Sequence, residues 1–221
     1  MDRKTTQSAE QTRQALIRAG LELFGEKGFD GTSTRQLAAA AKANIGSIAY
    51  HFGSKEGLRA ACAGFIVETI KDMASQALDA TDPPALDPGA AGRQLSAVLE
   101  RMVAFVVASP EAGIIVQFVL RELSQPTAAL DIIYEGVFEP THRRLCRIWA
   151  AATDEDADSE RTKIAVFTMI GQVVYFRIGR TAVMRRMGWG DIGTREASAI
   201  AAVARDNLAA ILASWKKGGQ P

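Results

Sequence analysis

The stretch STRQLAAAAKANIGSIAYHFGSK, residues 33–55, decides the fold, because it reads as two short helices joined by a tight turn and closed by an aromatic and basic segment. Ser33 has the chemistry of an N-cap, and Gln36 three residues on completes a capping box in which each side chain satisfies an orphan amide. The first short helix is therefore expected to start near Thr34 with Leu37, Ala38 and Ala41 inward. The alanines let a second helix cross closely, at the steep angle of a helix-turn-helix pair. Ala41, Lys42 and Ala43 form the turn, and Asn44 is a second N-cap opening a helix over 45–52 whose Ile48 and Phe52 face inward. Ile45, Gly46, Ser47, Ala49, Tyr50 and His51 are left outward. In a recognition helix the N-terminal residues meet base edges in the major groove, while Thr34, Arg35, Tyr50, His51 and Lys55 would hold phosphates or sugars. Lys42 and Asn44 complete the set expected to touch double-stranded DNA.

Working outward, residues 1–9 are polar and read as a mobile arm. Residues 10–27 form a first helix with an apolar stripe of Leu16, Ala19, Leu23 and Phe24, stopped by Gly28, with Phe29 tucked under the next helices. Residues 12–58, TRQALIRAGLELFGEKGFDGTSTRQLAAAAKANIGSIAYHFGSKEGL, resemble the N-terminal domain of the TetR family of bacterial transcriptional regulators. The helix ending in LFGEKGFDGTS, the T-x-R start of the second helix and YHFGSKEGL at the start of the fourth all stand at the family's spacing. Lys42 occupies the place where the family usually has the turn glycine. Ala49 occupies the place where many members have a phosphate-contacting tyrosine, a contact that Tyr50 is expected to take over. The stretches THRRL at 141–145 and GQVVYFRIGRTAVMRRMGW at 171–189 further resemble the CecR-type branch, regulators linked to sensitivity to toxic compounds such as antibiotics.

The chain has 221 residues, 48% hydrophobic, enough for a substantial core, and no stretch alternates in the manner of a strand. An all-α fold of about nine helices is expected: a three-helix DNA-binding head over 1–54, then a helical domain over 55–221 for effector binding and dimerisation. Net charge is +1, but residues 1–60 hold nine basic against six acidic side chains, which suits a small DNA-binding head on a near-neutral body. Cys62 and Cys146 have no metal spacing and read as reduced core thiols. With no apolar leader and no run of ~20 uninterrupted apolar residues, a cytoplasmic protein with no membrane partner is expected.

Beyond the head, Ser54 caps a long helix over 55–80 that includes Leu58, Cys62, Phe65, Ile66, Ile70, Met73 and Leu78, and TDPPALDPGAAG at 81–92 reads as a surface loop. Helices follow over 93–108, over 111–123, apolar nearly all round, and over 126–152, with a kink at Pro140. After an acidic loop, residues 160–186 read as one long apolar helix. Thr194 caps a last helix to 217, and residues 218–221 are a tail.

Large or polar residues on otherwise apolar helices are candidate pocket residues. They are Phe65, Met73, Met102, Phe105, Gln117 and Phe118, together with Glu122, Tyr134, Gln172, Tyr175, Phe176 and Arg177, the last expected to pair with Glu122 or to receive an anionic group. A dimer interface is expected from Phe167, Gly171, Val174 and Ile178 on one helix. The coiled-coil-like seam of Ala197, Ala201, Ala204, Leu208, Ile211 and Trp215 supplies the other half. These features support a homodimeric repressor that binds palindromic operator DNA and is released by a small apolar or amphipathic effector. The alternative is an activator or global regulator without an inducer. Catalysis is disfavoured, since His51 and His142 are the only histidines and no nucleophilic triad, metal-ligand spacing or phosphate-binding glycine loop is present. No cofactor and no metal is expected.

Overall fold

The computed structural model describes residues 3–77 and 86–217. The expectations placed on 1–2, on Leu78 and the greater part of the 81–92 loop, and on the 218–221 tail lie outside them. Every regular element among the described residues is helical, in eleven α-helices and two π-helical turns. The chain forms two compact units, residues 1–70 with 113–137 and residues 71–112 with 138–221. The first unit therefore extends past residue 54, where the head was expected to end, and takes in a distant segment.

In the first unit, α1 (Arg3–Lys27) begins well before residue 10, because no glycine or proline interrupts the polar N-terminal stretch. It buries Leu16, Ile17, Ala19, Leu21 and Phe24, a wider stripe than expected. It is followed by α2 (Thr34–Ala40), α3 (Gly46–Phe52) and α4 (Lys55–Ala77). Gly20 is where α1 meets α4: a Cβ there would lie 2.6 Å from Cys62 Sγ, so only glycine permits this approach. The Cys62 thiol donates to Ile17 O at 3.4 Å, and its burial pushes its pKa well above the ordinary thiol range, so it is a packing residue.

The distant segment is the larger part of α6 (Pro110–Ser124), then α7 (Ala128–Ile133), capped by Thr127. Its fit against the head is close. A Cβ on Gly25 would lie 3.2 Å from the Phe118 backbone nitrogen, and Arg121 Nη2 donates to Glu26 O at 3.0 Å. Glu122, 1% exposed, accepts from Arg59 Nε on α4 at 2.6 Å through one oxygen and from Thr127 Oγ1 at 2.7 Å through the other. Glu122 was expected among the pocket residues, with Arg177 as a partner unless that arginine received an anionic group. Arg59, 63 residues away, holds Glu122 instead.

The second unit packs α5 (Pro88–Met102), α8 (Glu139–Thr153), α9 (Glu160–Ile178) and α11 (Thr194–Lys217) around Trp149, Leu95, Leu99, Val166 and Leu208, with the short α10 (Arg180–Met187) after α9. α5 starts at Pro88, inside the expected loop: Asp87 caps it, accepting from Gly89 and Ala90 amides at 2.9 Å, and proline at the first helical position loses no hydrogen bond. Residues 126–152 are not one kinked helix either. α7 passes into a π turn, Tyr134–Phe138, and Pro140 falls in the first turn of α8, where its missing N–H is not needed. Gly136 in that turn would, with a Cβ, come within 2.8 Å of Val67.

The helix expected over 160–186 likewise breaks at Gly179. Those two splits account for the step from nine helices to eleven. The last helix is capped by Gly193, whose N–H donates to Glu196 Oε2 at 3.1 Å, rather than by Thr194. Thr194–Trp215 has a mean hydropathy of 1.2 and the length of a membrane span. Its Ala197, Ile200, Ala204 and Leu208 are buried in the unit's own core, while Val203 and Ile211 are exposed.

Candidate nucleic-acid interface and effector domain

Ser33 and Gln36 form the expected capping box: Gln36 N–H donates to Ser33 Oγ at 3.2 Å and Ser33 N–H to Gln36 Oε1 at 2.8 Å. Leu37, Ala38 and Ile48 are the buried contacts of the helix pair. In the turn, Ala43 N–H donates to Ala38 O at 2.9 Å and Lys42 adopts φ 52°, the left-handed conformation that a glycine takes without strain. Asn44 Oδ1 accepts from Gly46 N–H at 2.8 Å, so α3 begins at Gly46, one residue later than expected, and Ile45 belongs to the turn.

Arg35, Lys42, Asn44, Ile45, Gly46, Ala49 and Tyr50 are exposed, and Thr34, Ser47 and His51 are half-buried. Tyr50 is 81% exposed and stands edge-on to His51, ring centroids 4.9 Å apart. Beside it Gly46 and Ala49 present almost no side chain, so the backbone of α3 can approach base edges closely. Phe52, expected inward, is only half-buried, with the Arg13 guanidinium 5.9 Å from its ring centroid.

Lys55 departs from its expected role. Its ammonium donates to Phe29 O and Thr32 O at 3.0 Å each and lies 3.9 Å from the Phe29 ring centroid, so two of its three donors are spent inside the head. It fastens the α1–α2 turn rather than reaching outward. Nothing in the sequence distinguishes an inward lysine from an outward one, since its partners are main-chain carbonyls.

The expected pocket residues stand in different settings. Phe118 is packed core, Glu122 is committed to Arg59, and Gln117, Tyr134 and Tyr175 are exposed. Phe65, Met73, Met102, Phe105 and Phe176 are half-buried, and Gln172 Oε1 accepts from Asn207 Nδ2 at 3.2 Å. Arg177 donates to Pro110 O at 3.5 Å; burial and the neighbouring Arg180 both push its pKa down. A groove of about 590 Å³ runs instead between α9 and α11, lined by Glu160, Arg161, Ile164, Ala165, Thr168, Ile211 and Trp215.

Of the expected interface, Phe167, Gly171 and Ile178 are exposed, Ile211 sits at the groove, and Val174, Ala201 and Trp215 are half-buried. Ala197, Ala204 and Leu208 are corrections: they are buried within their own protomer, where α11 packs on α5 and the π turn Val103–Ala108. A seam at spacings of three and four marks a helix–helix contact without saying whose helix is the neighbour.

The arrangement defines a helix-turn-helix DNA-binding regulator. The chain belongs to the TetR family. Residues 16–62 match "Bacterial regulatory proteins, tetR family", and residues 91–215 match "HTH-type transcriptional dual regulator CecR, C-terminal domain". The chain is 35% identical to the HTH-type transcriptional dual regulator CecR of Shigella flexneri over 188 residues, 83% of each chain. Two solved structures share the fold with a TM-score of 0.65. One is AibR in complex with isovaleryl coenzyme A and operator DNA, 15% identical over 89% of this chain and 97% of that one. The other is a TetR-like regulator from Rhodococcus sp. RHA1, 18% identical over 91% and 96%. The chain is thus a DNA-binding transcriptional regulator.

Proposed function

We propose that the protein is a homodimeric repressor that grips a palindromic operator through two copies of α3 and lets go when a small effector binds its C-terminal helices. The observation that carries the DNA half is the outward face of α3, where Tyr50 projects beside the small Gly46 and Ala49. Exposed Arg35 and Lys42 flank it as phosphate contacts, and Lys55 drops out of the contact set. The dimer half rests on the apolar side of α9, with Phe167, Tyr175 and Ile178 all more than half exposed, and on Val203 of α11, more surface of that kind than a soluble monomer usually leaves bare. AibR, solved with both an acyl coenzyme A and its operator, supports an effector for this chain.

Footprinting on the DNA flanking its gene should give two half-sites about 34 Å apart on one face of the duplex. A protected region without two-fold symmetry would overturn the dimeric reading. Any effector found must weaken operator binding by the same factor that operator weakens the effector. Arg35→Ala should weaken all sequences alike and lower the salt slope by roughly 1, the mark of a lost phosphate contact.

Lys42→Gly separates folding from binding. Relief of the left-handed lysine should raise stability by about 0.5–1 kcal/mol, after the entropy that glycine adds to the unfolded chain. The same variant should lose operator affinity at low salt. Unchanged melting together with unchanged affinity would remove both the strain and the contact.

A further inference from the structure

Two side chains in the core of the second unit carry polar atoms without partners. Gln94 on α5 is 7% exposed, and neither its Nε2 nor its Oε1 has a hydrogen-bond partner. Trp149 on α8 is fully buried, and its Nε1–H is unpaired as well. α5 packs more extensively on α8 than on any other helix, and Trp149 is the largest fully buried side chain of that core. Buried amides and indoles are nearly always paired, and an aliphatic side chain at 94 would suit the surroundings better. A glutamine kept there without partners is waiting for a group from outside the chain.

The chemistry of that group follows from what surrounds it. Gln94 and Trp149 together offer N–H donors and one carbonyl acceptor. The other buried polar residues of this unit, Thr153 and Thr162, bond to Trp149 O and to Ser159, and no described buried residue of the unit is charged. An ionised guest buried beside Gln94 and Trp149 would find no countercharge, since the Arg161 guanidinium stays at the groove, 4.0 Å from the Trp215 ring centroid. Access is short: Trp215 stands edge-on to Trp149, ring centroids 5.3 Å apart, and also lines the groove between α9 and α11. One indole ring therefore separates Trp149 from that groove.

We infer that Gln94 and Trp149 anchor the uncharged, hydrogen-bonding head of an apolar or aromatic effector, a hydroxyl or carboxamide, admitted from the groove by displacement of Trp215. This rests on the effector-release reading above and narrows its ligand class. The test uses the full chain, whose three tryptophans give three indole N–H resonances, with Trp149→Phe assigning one of them. The probes are 1-naphthol, naphthalene and 1-naphthoate.

The expected result is that 1-naphthol moves the Trp149 resonance downfield and 1-naphthoate leaves it in place. Gln94→Met, equal in length but without the amide, should weaken 1-naphthol by about tenfold while barely changing naphthalene. The inference is overturned if the resonance does not move, if Gln94→Met binds 1-naphthol as the native chain does, or if the free protein already shows a long-lived water on that N–H. Operator release measured alongside keeps the two readings apart. Release by 1-naphthol with Trp149 unmoved removes the anchor and spares the repressor. Binding at Trp149 with operator affinity unchanged keeps the anchor and removes release by such ligands.

Discussion

Arg59→Ala is expected to destabilise the first unit by about 3–5 kcal/mol, because it leaves the Glu122 carboxylate buried without its countercharge. Glu122 is 1% exposed, and the Arg59 side chain meets it at 2.6 Å through both Nε and Nη2. Thr127 alone cannot hold the charge: its hydroxyl supplies a single bond, at 2.7 Å to the other oxygen. Removing both charges should be far milder, so Arg59→Met with Glu122→Leu should recover most of the loss in a double-mutant cycle. The check is urea denaturation followed by circular dichroism, with operator binding measured in parallel because the same unit contains α3. A single variant within about 1 kcal/mol of the native chain would show that water reaches the pair and that burial is not what makes it matter.

Phe167→Glu is expected to give a folded monomer whose operator affinity falls by about 10²–10⁴, the advantage that linked half-site binding confers. Phe167 is 62% exposed on α9, stacked on His142 with ring centroids 3.9 Å apart, so its loss also removes one contact within the protomer. Ile178→Glu, farther along the same exposed side, serves as a second probe. Sedimentation should show both as monomers, and two dimeric variants with full affinity would end the assignment of this face. Leu208→Glu is expected to behave differently. Leu208 is buried in its own protomer's core, so a charge there should unfold the unit rather than separate two intact copies.

The head was legible because its signals are local. A capping box spans three residues, an Asx cap two, and the inward positions Leu37, Ala38 and Ile48 follow from helical spacing, so each reading could be made within one turn of chain. What stayed hidden depends on partners far away in sequence. Glu122 looked like a pocket residue because its partner lies 63 positions earlier. Lys55 looked like a DNA contact because main-chain carbonyls leave no mark in the sequence. Ala197, Ala204 and Leu208 showed the right periodicity for packing, but periodicity is blind to whether the surface opposite belongs to the same molecule. Proline told where a helix could not run undisturbed; whether Pro140 bends one helix or starts another is decided by the π turn before it.

That kind of turn has a consequence for how chains of this family can differ in length. Between α5 and Ser109 the backbone runs through Val103–Ala108 with one residue per turn more than an α-helix needs, and Val103 and Val107 still both reach the core. The segment is in effect an insertion absorbed without breaking the helix. A relative one residue shorter here could close the same span as plain α-helix, so gaps in aligned homologues are expected to collect at this point, while the flanking core positions keep their register.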